Sequence, residues 1–196
     1  MPDKNNLFEL SKYECIVIGS SAGGLQALSC IFKSLPLHFP IPIVVVQHLH
    51  PDQSMYFIES LNQQSDLIIK DANEKEKLSP GTVYFSPPNY HLLVEDDKTL
   101  SLSFDEKVNF SRPSIDILFE SAADVFKSKL LGIILTGANS DGAKGLFAIK
   151  KKKGTAMVQD PATAEYPAMP EAAIELCSVD YIISLEEIGR LLNSGV

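Results

Sequence analysis

Cys15-Ile16-Val17-Ile18-Gly19-Ser20-Ser21-Ala22-Gly23-Gly24-Leu25 decides how this chain is read. Its first four residues are apolar and β-rich, and its middle is made of small residues. An apolar-periodic stretch then runs from about Leu25 to Phe32. That order predicts strand, tight loop, helix. The same pattern recurs further along. Ile41–Gln47 reads as a strand buried on both faces, because its apolar residues are continuous rather than alternating. A helix is expected from about Gln53 to Asn62, with Asp52 as its cap. Beyond residue 113 the expected elements are helix Ser114–Phe126, strand Leu131–Leu135, helix Gly142–Lys152 and strand Thr155–Gln159. Helix Glu171–Leu176, strand Tyr181–Ser184 and a closing helix from about Leu185 to Leu192 follow.

The middle of the chain differs. Leu67–Lys70, Thr82–Phe85, His91–Val94 and Leu100–Phe104 are short β-like runs, punctuated by Ser79-Pro80-Gly81 and Pro87-Pro88-Asn89. Such turns suit hairpins and predict an antiparallel extension. The expected fold class is therefore α/β: a doubly wound, mostly parallel sheet with helices on both faces and a short antiparallel extension. Residues 1–12 read as a frayed N-terminal leader, and 13–196 as one domain.

Composition narrows the function. Hydrophobic residues make up 45% and charged residues 21%, which is a globular rather than a disordered profile. A net charge of −8 argues against general affinity for nucleic acid or an anionic membrane. The basic cluster Lys150–Lys153 ends an expected helix, where cations complement the dipole. No run is long enough to insert in a bilayer and no signal-peptide core is visible, so a cytoplasmic protein is expected. The three cysteines lack metal-ligand spacing and read as buried structural thiols.

In open parallel sheets, sites form beyond the carboxyl ends of the strands. Three loops at such ends carry reactive residue types. Gly19–Gly24 fits G-x-S-x-G, which places Ser21 on a sharp strand-to-helix turn with its hydroxyl exposed. The backbone N–H of Ala22 is then a candidate donor to a developing oxyanion. A glycine-rich phosphate loop fits less well: position 21 is serine, and Leu25 stands where a P-loop needs lysine. His48 directly follows the second strand, and its imidazole suits proton transfer near neutrality. His50 is its rival, while His38 sits in a Pro-rich turn and His91 belongs either to a pocket or to a strand. In Thr136–Gly142, Asp141 is placed to accept the other N–H of His48. It also stands before a helix, where aspartate commonly serves as an N-cap, and the two roles are compatible. Backbone amides around Gly137–Asn139 offer further oxyanion donors.

These blocks carry a resemblance. Ile18–Gly24, Val46-Gln47-His48 and Leu135-Thr136-Gly137 with Ser140-Asp141-Gly142-Ala143 resemble the serine, histidine and aspartate blocks of the CheB catalytic domain family, the chemotaxis receptor methylesterases. Ser111-Arg112-Pro113-Ser114-Ile115-Asp116 and the segment from Gln159-Asp160 to Ala168-Met169-Pro170-Glu171-Ala172-Ala173 are similar to further family blocks. The similarity runs from about Tyr13 to Leu192. It implies hydrolysis of glutamate γ-methyl esters, and deamidation of glutamines, on the cytoplasmic helical region of bacterial chemoreceptors. It also implies catalytic Ser21, His48 and Asp141, and no cofactor or metal. By resemblance, Ala22 and Ala138 are oxyanion-hole candidates, although many members have Thr and Met there. Arg112, Met169 and His91 are candidates for the substrate cleft.

The order Ser…His…Asp differs from the Ser…Asp…His of α/β-hydrolases, so the shared serine motif does not carry over that fold. No receiver domain is recognisable, so control by phosphorylation is not expected, and a separate regulatory protein is a possible partner. Two other readings compete. One is a catalytically idle or differently targeted binding module of the same fold, which the intact triad argues against. The other is a nucleotide-binding domain, which the missing phosphate-binding lysine argues against.

Overall fold

The computed structural model describes residues 8–49, 54–194 and 196. Seven strands form the main sheet: β1 (Cys15–Ser20), β2 (Ile43–Gln47), β3 (Ile68–Asp71), β4 (Thr82–Phe85), β7 (Leu130–Ile134), β8 (Thr155–Gln159) and β9 (Tyr181–Ile183). Their order is β3-β4-β2-β1-β7-β8-β9, and every neighbouring pair is parallel. Strands β5 (His91–Val94) and β6 (Leu100–Ser103) form a separate antiparallel hairpin.

The central strands are apolar throughout because both of their faces are covered. Cys15, Val17, Val44, Val46 and Ile134 point into one core, with helices α3 (Ile115–Phe126), α4 (Ala143–Lys151) and α5 (Ala168–Leu176). Ile16, Ile18, Ile43, Val45 and Ile133 point into the other, with α1 (Gly24–Phe32), α2 (Ser54–Asn62) and α6 (Leu185–Asn193). The alternation is the strand period of two, read here between two cores rather than between core and water. A capping box closes the start of α6: Ser184 accepts from the N–H of Glu187, whose carboxylate accepts from the N–H of Ser184.

The expected antiparallel extension is half corrected. Only β5 and β6 form it, whereas Ile68–Asp71 and Thr82–Phe85 lengthen the parallel sheet. Turn residues such as Ser79-Pro80-Gly81 reverse the chain locally without fixing which strand the next segment joins. Here residues 72–81 carry the chain back to the starting end of the sheet. They are pinned on the way by backbone hydrogen bonds between Lys75, Glu76 and Leu100. Strand β4 then slots between β3 and β2, buried along its whole length. Helix α5 starts at Ala168, earlier than expected, because Pro170 in its first turn has no intrahelical N–H to lose.

Of the expected leader, Phe8 stacks against Tyr13 and Tyr181, and Leu10 is buried in the core. Asp52, the expected cap of α2, and the rival histidine His50 lie outside the described residues. Among the described residues, no helix is long and apolar enough to cross a membrane.

Candidate active site

Strand β1 borders β2 on one side and β7 on the other. The chain leaves β1 toward β2 and later returns to β7, so the β1/β7 boundary is the sheet's topological switch point, where crevices open. The loops after β2, β1 and β7 carry His48, Ser21 and Asp141. Three adjacent strand ends thus supply the three side chains.

The Ser21 loop is held from both sides. Its N–H donates to the carbonyl of Thr136 (3.0 Å), and its carbonyl accepts from Gly24 N–H (2.9 Å) and from Gln47 Nε2 (2.7 Å). Gln47 also donates to the carbonyl of His48 (3.0 Å) and accepts from Ser20 Oγ (2.6 Å). One buried amide therefore sets the spacing between the serine and histidine loops. Thr136 Oγ1 adds a second tie, donating to the carbonyl of Ala22 (3.0 Å).

Gly24 makes the Gln47 arrangement possible. A Cβ built there would lie 1.8 Å from Gln47 Oε1. Gly24→Ala is therefore expected to expel the Gln47 amide and leave buried partners unpaired, costing roughly 2–4 kcal/mol. A urea unfolding midpoint unchanged from the parent would show that Gln47 has another place to go.

Ser21 and His48 line one cleft of about 540 Å³, floored by Ala22–Gln26 and walled by Leu49, Tyr56 and Phe57. Behind His48 sits Asp141, whose side chain is fully buried, with Oδ2 2.9 Å from His48 Nε2. Asp141 is saturated with donors. Oδ2 also accepts from Ile115 N–H (2.7 Å), and Oδ1 from Ser114 Oγ (2.9 Å), Asp116 N–H (3.3 Å) and Asn109 Nδ2 (3.3 Å). Burial alone would push its carboxyl up, but the hydrogen bonds from His48, Ile115 and Ser114 outweigh it. The net position is below the ordinary carboxylate value. An ionised Asp141 requires His48 to present Nε2–H, which leaves Nδ1 as the only nitrogen able to take a proton.

The N-cap role expected for Asp141 is corrected. The cap of α4 is Gly142, which has no side chain to offer, and Asp141 instead accepts from the first turn of α3. In return Asp116, in that first turn, accepts from Gly145 N–H in the first turn of α4 (2.7 Å). Two carboxylates thus cross-cap two helices, each near a positive dipole end. Burial raises Asp116 above its ordinary value, and the nearby Asp141 adds to the rise against the Gly145 hydrogen bond.

Ala22 N–H and Ala138 N–H have no protein acceptor among the described residues, whereas Gly137 N–H is committed to the carbonyl of Tyr166 (3.0 Å). Arg112, Met169 and His91, expected in the cleft, do not line it. His91 is fully buried, with Nδ1 accepting from Ser114 N–H (3.1 Å) and Nε2 donating to the carbonyl of Glu106 (3.0 Å), so it braces the start of α3. Met169 is buried against Gly137, where a Cβ would come within 2.6 Å of it. Arg112 stacks on Phe104 (3.8 Å) and donates to the carbonyls of Phe104 and Asp105. The reading from sequence missed Gln47, Asn109, Asn139 and Ser114. Gln47 left a trace there as a lone polar residue ending an apolar strand, and Ser114 as part of the family-like block Ser111–Asp116.

The site thus sets a hydroxyl and an imidazole on one cleft, the imidazole backed by a buried carboxylate, at adjacent strand ends of a parallel α/β sheet. Residues 16–192 match the family described as CheB methylesterase, and the chain belongs to it. A protein from Leptospira interrogans is 56% identical over 91% of this chain and 93% of its own length. A protein-glutamate methylesterase/protein-glutamine glutaminase from Thermotoga maritima is 38% identical over 90% of this chain and 52% of its own. The chain thus spans nearly all of the first relative and about half of the second. The crystal structure of the Thermotoga maritima CheB methylesterase catalytic domain superposes with a TM-score of 0.89 at 37% identity. That match covers 94% of this chain and 99% of the other.

Proposed function

We propose that this chain hydrolyses γ-methyl esters of protein glutamates, and deamidates glutamines, on a chemotaxis receptor. The observation that carries this reading is the His48–Asp141 pair at 2.9 Å, set on the cleft that Ser21 also lines. The family and the relatives' names supply the substrate class.

In this mechanism His48 Nδ1 takes the proton of Ser21 Oγ as that oxygen bonds to the ester carbonyl carbon. The carbonyl electron pair moves onto its oxygen, which receives the N–H groups of Ala22 and Ala138. Collapse of the adduct breaks the bond to methoxide, which takes the proton from Nδ1 and leaves as methanol. Water, deprotonated by Nδ1, then cleaves the glutamyl–Ser21 ester and restores the hydroxyl. A glutamine follows the same route with ammonia leaving. Asp141 stays ionised throughout and holds Nε2–H. The substrate complex must close the approach of Ser21 Oγ to Nδ1, a contact that often tightens only when substrate binds.

The test is methanol release from receptor cytoplasmic fragments carrying labelled methyl esters. Release by the folded chain is expected. Its failure on fragments that another methylesterase demethylates would remove the assignment.

A further inference from the structure

Asn139 stands exposed at the rim of the site, between the oxyanion candidate Ala138 and Asp141. Its Oδ1 accepts from Asp141 N–H (3.0 Å), and this identifies the oxygen end of the amide. The other end, Nδ2, lies 3.3 Å from His48 Nδ1. His48 Nε2 is already committed to Asp141. A ring protonated at Nε2 has a single remaining lone pair, on Nδ1. That lone pair has two claimants: the Asn139 amide, which holds it in this structure, and the Ser21 hydroxyl, which the proposed mechanism requires there.

We propose that Asn139 is a positioning residue that caps the base nitrogen of His48 in the resting protein and so sets how often Ser21 is activated. The proposal rests on the Ser21–His48 assignment above. It concerns which donor occupies Nδ1, not which residues react. The contact suits an exchangeable cap. At 3.3 Å it lies beyond the usual N–H donor range, so it fixes the free tautomer while remaining easy to displace. The Asx bond to Asp141 keeps the amide within reach after it is displaced, so it can return when product leaves. Removing a neutral hydrogen bond of this kind shifts an occupancy by about 3- to 10-fold.

The experiment measures the rate at which a fluorophosphonate labels Ser21, read by mass spectrometry on the intact full chain. Two variants accompany the parent. Asn139→Ser keeps a short oxygen for Asp141 N–H but cannot reach the imidazole. Asn139→Asp keeps the same oxygen and places a carboxylate beside Nδ1, where it holds a proton on the base. Labelling is expected to be about 3- to 10-fold faster in Asn139→Ser and at least about 10-fold slower in Asn139→Asp. Loop damage would slow both variants, so opposite signs separate the cap from a structural role. The ¹⁵N spectrum of the imidazole gives a readout free of activity: the Nδ1 resonance moves in Asn139→Ser while Nε2 stays. Equal or slower labelling of Asn139→Ser, or an unmoved Nδ1 resonance, overturns the proposal. A folded parent that never labels at Ser21 overturns the mechanism instead, and the ¹⁵N shift then still decides whether Asn139 holds Nδ1.

Discussion

Ser21→Ala is expected to lower turnover of a glutamyl methyl ester by about 10⁵- to 10⁶-fold, the size seen when a serine nucleophile is deleted elsewhere. The residual rate would come from oxyanion donors and binding alone. Folding should be untouched. Ser21 is partly exposed and is held by its backbone, and its hydroxyl has no hydrogen-bond partner among the described residues. Its loss should therefore change stability by no more than about 0.5 kcal/mol. Methanol release and thermal unfolding, measured on one preparation, separate the two effects. A variant that turns over at the parent's rate would end the covalent mechanism.

Asp141→Asn should injure both activity and stability. On activity, about 10⁴-fold is expected, as for the corresponding carboxylate of serine proteases, because an amide does not enforce the Nε2–H tautomer. On stability, the geometry leaves no good orientation for the new amide. With oxygen at the Oδ2 position, it accepts from His48 and Ile115, but its NH₂ then faces Ser114 Oγ and the donors of Asp116 and Asn109. With the groups reversed, the NH₂ faces Ile115 N–H and His48 Nε2–H. Either way buried donors lose their acceptor, at a cost on the order of 2–5 kcal/mol.

The pH dependence of that cost is fixed in sign. The carboxyl of Asp141 is held below its ordinary value in the folded protein. Its contribution is therefore fully present above the unfolded value of about 3.9 and is lost as pH falls through the folded one. The stability gap between parent and Asp141→Asn should be widest above about pH 4 and narrow on acidification. Asp116 runs the other way, since its raised position gives stability below the unfolded value that is lost as pH rises through the folded one. The burial-driven part of that rise is common to both proteins and drops out of the comparison. The part added by the Asp141 charge is present in the parent alone and opposes the trend without being its largest cause. A gap that widens toward acid would contradict the hydrogen-bond inventory around Asp141.

The chain's own pattern determined the α/β layering and the strand ends at which Ser21, His48 and Asp141 sit. Continuous apolar runs such as Ile16–Ile18 and Ile43–Val46 mark doubly covered strands. The small residues at 19–24 mark a sharp turn, and Ser21, His48 and Asp141 each follow a strand. These are local signals, readable from period and spacing. Tertiary structure decided what local signals do not encode. Thr82–Phe85 joined the parallel sheet rather than a hairpin, because a strand's partner is chosen by the path of the whole chain and not by its nearest turn. Asp141 caps a helix other than the one it precedes, and His91 and Met169 turned inward to brace loops, because those outcomes depend on residues 23 or 26 positions away or on a facing glycine. Asn139 gained its role only when a fold crossing brought it to an imidazole 91 residues earlier in the chain. Hydrogen bonds act over about 3 Å, and sequence separation carries no information at that range until the sheet has put the loops side by side.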